Sequence, residues 1–151
     1  MSNEDFLASL STAYGICRIK RLKGPSGIAV AAAHNLREID TPNADNHAPT
    51  LNGGIEVLEG PETASGVVEA ERRLHAIHGL SKPRSDAVRG VEFVLSASPS
   101  WFETATDEDK RAWSVAALNF AKAQFPVEGS ILSAVAHDDE SSLHLQIIGV
   151  P

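Results

Sequence analysis

Residues 129–150 read GSILSAVAHDDESSLHLQIIGV. Two β-rich runs, 129–137 and 143–150, flank the polar turn DDESS, which is the pattern of a hairpin. Alternate side chains on a strand share a face, so His144 and Gln146 project together while Leu143, Leu145 and Ile147 project the other way. His137 ends the first run and can return across the turn to the face of His144 and Gln146. A hairpin with one apolar side must be buried against further elements, and the rest of the chain offers both strands and helices.

Upstream, Asp107 to Phe125 predicts a helix entered through acids, with Trp113, Ala117, Phe120 and Ala121 on one stripe. GVEFVLSAS (90–98) is a β-rich run. PETASGVVEAERRLHAIHG (61–79) predicts a helix beginning near Pro61 and ending at Gly79, with Val67, Ala70, Leu74 and Ile77 at helical spacing. Residues 40–54 form a long loop rich in Pro, Asn, Asp and Gly, and loops of this length are functional or disordered. Before it, KGPSG (23–27) breaks the chain, and Ser26 is placed to cap an alanine-rich helix through GIAVAAAHNLRE. Residues 13–20 (AYGICRIK) alternate like a strand, with Tyr14, Ile16, Arg18 and Lys20 on one side. The order β, α, loop, α, β, α, β, β predicts an α+β fold: a mainly antiparallel central sheet flanked by helices on one or both faces.

The 151 residues, 42% hydrophobic and 22% charged, fit one globular domain over 1–151. No stretch reaches the roughly 18 apolar residues of a membrane span. The acidic start MSNEDFLASLSTAYG does not read as a signal peptide. Cys17 is the only cysteine, which excludes an internal disulfide and a multi-cysteine zinc site. A cytoplasmic protein is expected. The net charge of -7 argues against nucleic acid, but its distribution is uneven. Arg18, Lys20, Arg21 and Lys23 lie within 18–23, whereas 38–71 holds eight acids and no Lys or Arg. Charge alone fits equally a basic strip on an acidic body and a solvated face.

His137, His144 and Gln146 suit a divalent ion such as Mn²⁺ or Zn²⁺, with an amide oxygen as the weaker donor. Glu140, in the turn, is placed to be a ligand, an orienting group or a base. On spacing alone, a polar hairpin with two ordinary histidines competes with this reading.

The tail resembles the third motif of the Mob/Pre plasmid mobilisation relaxases, the MobV group, which reads His-x-Asp-Glu-x-x-Pro-His-x-His. Here the segment runs His137-Asp138-Asp139-Glu140-Ser141-Ser142-Leu143-His144-Leu145-Gln146. Tyr14 to Lys20 is similar to the family's first strand, and His34-Asn35-Leu36-Arg37 to its first motif. Thr41 to Asp45 with Leu51-Asn52 resembles the loop after that motif, and Val94 to Pro99 with Trp101-Phe102 the central strand and its turn. The resemblance covers nearly the whole chain.

It implies membership of the HUH endonuclease superfamily and metal-dependent, site-specific nicking and rejoining of one DNA strand at a plasmid origin of transfer, through a histidine–5′-phosphate intermediate. His34 matches the family's nucleophile. Glu140 is the candidate to orient it or accept its proton, and Arg37, expected on the same helix face as His34, the candidate to hold the scissile phosphate. His137, His144 and Gln146 would hold the metal, with Mn²⁺ expected first and Mg²⁺ or Zn²⁺ as alternatives. Asn43, Asp45 and Asn52 are expected in a DNA-facing loop, although turn chemistry also explains them. Arg18, Lys20, Arg84 and Arg89, with Lys82, are candidate phosphate contacts, against the alternative of solvated surface. Tyr14 is the only tyrosine, and as an aromatic strand residue it ranks below His34. His75 and His78 sit near a helix end, where imidazole is commonly structural, and His47 has no assigned role.

Two positions depart from the motif: Leu143 stands for its proline and Gln146 for its last histidine. The first bears on turn geometry. The second should weaken metal affinity and favour harder, oxygen-tolerant ions; some viral replication nucleases of the superfamily carry His-hydrophobe-Gln and use metal. The resemblance implies that the segment is an excised or shortened N-terminal catalytic domain. Its expected partners are single-stranded origin DNA and other mobilisation proteins. Two other functions compete: a relaxase-fold DNA-binding module that no longer nicks, and an unrelated metal-dependent hydrolase in which His34 is incidental.

Overall fold

The computed structural model describes residues 15–39, 54–79, 84–138 and 143–151. The elements follow as β1 (Gly15–Lys23), α1 (Gly24–Asn35), β2 (Ile55–Glu59), α2 (Ala64–Ile77), β3 (Val88–Ala97), α3 (Pro99–Thr104), α4 (Asp107–Gln124), β4 (Ile131–His137) and β5 (His144–Gly149). The five strands form one antiparallel sheet in the order β1-β3-β5-β4-β2. The hairpin expected at 129–150 is its centre, and β5 is buried along its whole length.

Strand alternation divides the core. Leu145 and Ile147 join Phe93, Leu95, Ala134 and Ala136 beneath α3 and α4, where Phe102, Ala121 and Phe125 pack. Ile148 joins Leu132 and Val135 beneath α1 and α2, against Ile28, Ala32, Val67 and Leu74. Each large side chain so buried contributes about 1.5–3 kcal/mol. His144 and Gln146 share the parity of Ile148, so they face the α1/α2 side. The α+β expectation holds, with helices on both faces.

Three local features differ from the expectation. The chain between the loop and α2 contains a five-residue edge strand, β2, which pairs with β4 through Ile55, Glu56, Val57 and Glu59. The turn after β3 is a short helix, with Trp101, Phe102 and Trp113 in edge-to-face contact at 5.0 and 5.4 Å. Helix α1 begins at Gly24 with Lys23 as N-cap, not at Ser26, because the fixed φ of Pro25 suits the first turn. By contrast α4 opens as expected: Thr106 and Asp109 form a reciprocal capping box, with three acids in the first turn.

Gly60, which ends β2, has φ +90, and a Cβ there would collide with the Leu132 carbonyl. Gly60→Ala is therefore expected to destabilise the fold by more than about 1 kcal/mol, read as a lower urea midpoint with an unchanged slope. On the exposed face of α2, the hydrogen bond from Arg72 holds the Glu69 carboxyl down to about 2, with Arg73 adding attraction. A depressed carboxyl supports the fold above its unfolded value and loses that support as pH falls through the folded one. The Glu69–Arg72 pair should therefore persist well below pH 4.5 and be lost near pH 2, as a side-chain NMR titration of Glu69 would read.

Candidate functional site

At the open end of the α1/α2 face, β4 finishes and β5 begins with register partners His137 and His144. Both are buried, with His137 Nδ1 3.2 Å from His144 Nε2 and the rings nearly perpendicular. His137 Nε2 lies 2.6 Å from the main-chain oxygen of Asn35. A carbonyl only accepts, so Nε2 carries the proton and, in the neutral ring, Nδ1 presents its lone pair toward His144. Two residues on, Gln146 is also buried, and its Oε1 has no hydrogen-bond partner among the described residues.

This donor set fits a divalent cation. Metal–nitrogen bonds of roughly 2.0–2.1 Å place neighbouring donors about 3.0–3.4 Å apart, which matches the histidine pair. A carbonyl acceptor on the far ring nitrogen is the usual support of a metal-binding imidazole. Gln146 Oε1, on the same strand face as His144, is an oxygen of the kind that could complete such a set, and leaving a buried acceptor unsatisfied costs about 1–3 kcal/mol. Among the described residues no three His, Cys, Asp or Glu side chains gather in a metal-binding cluster.

His34, partly buried in the last turn of α1, lines a cavity of about 460 Å³ together with Lys20, Glu92 and Gln146. The structure thus brings the predicted nucleophile and the last predicted metal ligand to one hollow, more than a hundred residues apart in sequence. β1 forms its basic rim. Arg18 is opposite Val94, which is opposite Gln146, while Lys20 is opposite Glu92, and both cations are exposed.

Other predicted residues lie differently. Arg37 does not share a helix face with His34, since α1 ends at Asn35. It adopts a left-handed backbone, φ 59, and its guanidinium donates to the His34 carbonyl at 3.3 Å. Arg89 donates to the buried Glu71 at 2.7 Å, tying β3 to α2, with His75 4.0 Å from the same carboxylate. Truncating Arg89 would leave Glu71 as an uncompensated buried charge, so its evident task is in the fold. Arg84 is exposed, 3.4 Å from Asp86. Glu140, Asn43, Asp45 and Asn52 lie outside the described residues, as do Tyr14, His47 and Lys82. Leu143, in the motif's proline position, is buried, and its carbonyl accepts from Ser96 Oγ at 3.0 Å, which ties the entry to β5 to β3.

Two residues of the site were missed. Asn35 is fully buried beside His34 and donates through Nδ2 to Glu92 Oε2 at 2.8 Å. Glu92 stands as a lone acid in the apolar run GVEFVLSAS, and that was the available signal, since buried acids are rare unless paired.

The Mob_Pre profile, described as plasmid recombination enzyme, matches residues 11–151. Solved structures of a similar fold include the MobM relaxase domain bound to a 22-nucleotide oriT DNA of plasmid pMV158 with Mn. That domain is 22% identical with a TM-score of 0.76, over 91% of this chain and 70% of that one. The MobM domain bound to a 26-nucleotide oriT DNA is 21% identical with a TM-score of 0.68, over 91% and 69%. Among curated protein sequences none matches significantly. No helix among the described residues is long and apolar enough to cross a membrane.

Proposed function

The chain belongs to the Mob_Pre family of plasmid recombination enzymes, and from that premise we propose that it nicks and rejoins single-stranded origin-of-transfer DNA through His34. The observation that carries this reading is the shared hollow of His34 and Gln146, with the His137–His144 pair on the same sheet face. A neutral imidazole nitrogen of His34 attacks the scissile phosphorus. A nitrogen–phosphorus bond forms as the bond to the 3′ oxygen breaks, and that oxygen leaves and takes up a proton. The imidazolium that results loses its remaining ring proton, for which Glu140 is the proposed acceptor. Attack by the 3′ hydroxyl in the reverse sense rejoins the strand. His137, His144 and Gln146 would hold a divalent cation, Mn²⁺ foremost, whose chemistry when bound would be to polarise a phosphate oxygen and neutralise charge. Arg18 and Lys20 hold backbone phosphates along β1, and Arg37 steadies the end of α1 that presents His34. The solved MobM complex with the 22-nucleotide oriT DNA contains Mn, in agreement with this cation and this partner.

Incubating the protein and Mn²⁺ with a randomised single-stranded DNA pool, then recovering protein-linked strands at neutral pH, tests the proposal. A covalent, Mn²⁺-dependent adduct enriched in one sequence is expected. A second reading, DNA binding without cleavage, is favoured by the amide at 146. Enrichment of a bound sequence with neither nick nor adduct would establish it in place of the first. The unrelated hydrolase is set aside by the family match.

A further inference from the structure

The end of α1 is held by a buried polar chain that the reaction above does not use. Asn35 is the last residue of α1, and the last carbonyls of a helix lack intrahelical partners. Its carbonyl instead accepts from His137 Nε2 at 2.6 Å, while its side-chain Nδ2 donates to Glu92 Oε2 at 2.8 Å. Glu92, on β3, is buried and lines the hollow with His34.

We propose that Asn35 and Glu92 form a clamp that positions both halves of the site: the turn bearing His34 and the ring of His137. The inference rests on the relaxase reading of the same residues. An ionised carboxylate only accepts, so it admits the amide of Asn35 in one orientation; the reverse would set Oδ1 against it. With its side chain fixed to β3, the residue cannot rotate its carbonyl away from His137. That carbonyl keeps the proton on Nε2 and leaves the Nδ1 lone pair facing His144. One residue therefore couples the nucleophile's helix to the cation's first ligand. Asn35 and Glu92 are positioning residues; neither touches the DNA in this scheme.

The test is Mn²⁺ titration calorimetry without DNA, on Glu92→Leu, Glu92→Gln and Asn35→Ala, with circular dichroism as the check on folding. Outright loss of a supporting partner of a metal-binding histidine lowers affinity by about 10–100-fold; Glu92→Leu and Asn35→Ala keep the Asn35 carbonyl but release it from its fixed position, so a drop toward the lower end of that range, about 10-fold, is expected for both. Glu92→Gln retains an acceptor oxygen for Asn35 and should keep most of the affinity, which a merely space-filling role would not distinguish from leucine. Equal binding by wild type, Glu92→Leu and Asn35→Ala would overturn the clamp. Imidazole ¹⁵N spectra of the metal-free wild type read the tautomer independently of any variant: His137 protonated on Nε2 is expected, and protonation on Nδ1 alone overturns the proposal. Wild-type protein that binds no Mn²⁺ while His137 still shows the Nε2 proton would sink the metal reading and leave the clamp standing.

Discussion

Replacing His34 by alanine is expected to abolish the covalent protein–DNA adduct and to lower strand cleavage by about 10³-fold or more, the scale seen when a nucleophile is removed. The fold should survive, because His34 is only partly buried at the end of α1 and the turn is held by its backbone. Mn²⁺ binding, measured by calorimetry, should stay unchanged, because the proposed ligands are on β4 and β5. That separation is the informative part. A His34→Ala variant that loses cleavage and metal together would place His34 among the ligands, and one that cleaves normally would remove it from the reaction.

The second large effect concerns Gln146, where stability and metal affinity should move in opposite directions. Its orphaned Oε1 is buried at a cost of about 1–3 kcal/mol in the metal-free protein. Gln146→Leu, similar in volume, removes that cost and should raise the metal-free denaturation midpoint while weakening Mn²⁺ binding by about tenfold or more. Gln146→His restores the stronger donor and should tighten binding, more for Zn²⁺ than for Mn²⁺. If Gln146→Leu binds Mn²⁺ like wild type, the amide is not a ligand.

The parts of the fold legible in the sequence were those with local signatures. The β4–β5 hairpin announced itself by two apolar runs about a short polar turn, and α4 by its acidic entry and its stripe of Trp113, Ala117 and Ala121, although Phe120, read on the same stripe, is exposed. β2 was not legible, because five residues give too little alternation to stand out and its partner β4 is distant in the chain. Nor was the strand order, which sets β5 between β3 and β4 and puts β1 at an edge; such pairings are decided by the packed core. Within the site, His137 and His144 could be paired from their spacing across the turn. The meeting of His34 with Gln146 came only through resemblance, and α1 brings it about physically. The role of Asn35 was hidden for a plain reason: its acceptor toward His137 is a main-chain carbonyl, which every residue carries. Arg37 failed the helix-face expectation because the helix ended two residues before it, in a left-handed turn that no glycine marked.

The central claim, that His34 carries the DNA, is tested most directly by locating the adduct. Trypsin cleaves after Lys23 and Arg37, so His34 is the only histidine in the peptide GPSGIAVAAAHNLR, residues 24–37. After reaction with Mn²⁺ and the selected strand, digestion at neutral pH preserves the acid-labile nitrogen–phosphorus bond. Mass spectrometry should then find the nucleotide on peptide 24–37, with fragments assigning it to His34. The same mass on the peptide that carries Tyr14, or cleavage with no protein-linked nucleotide at all, would contradict the account.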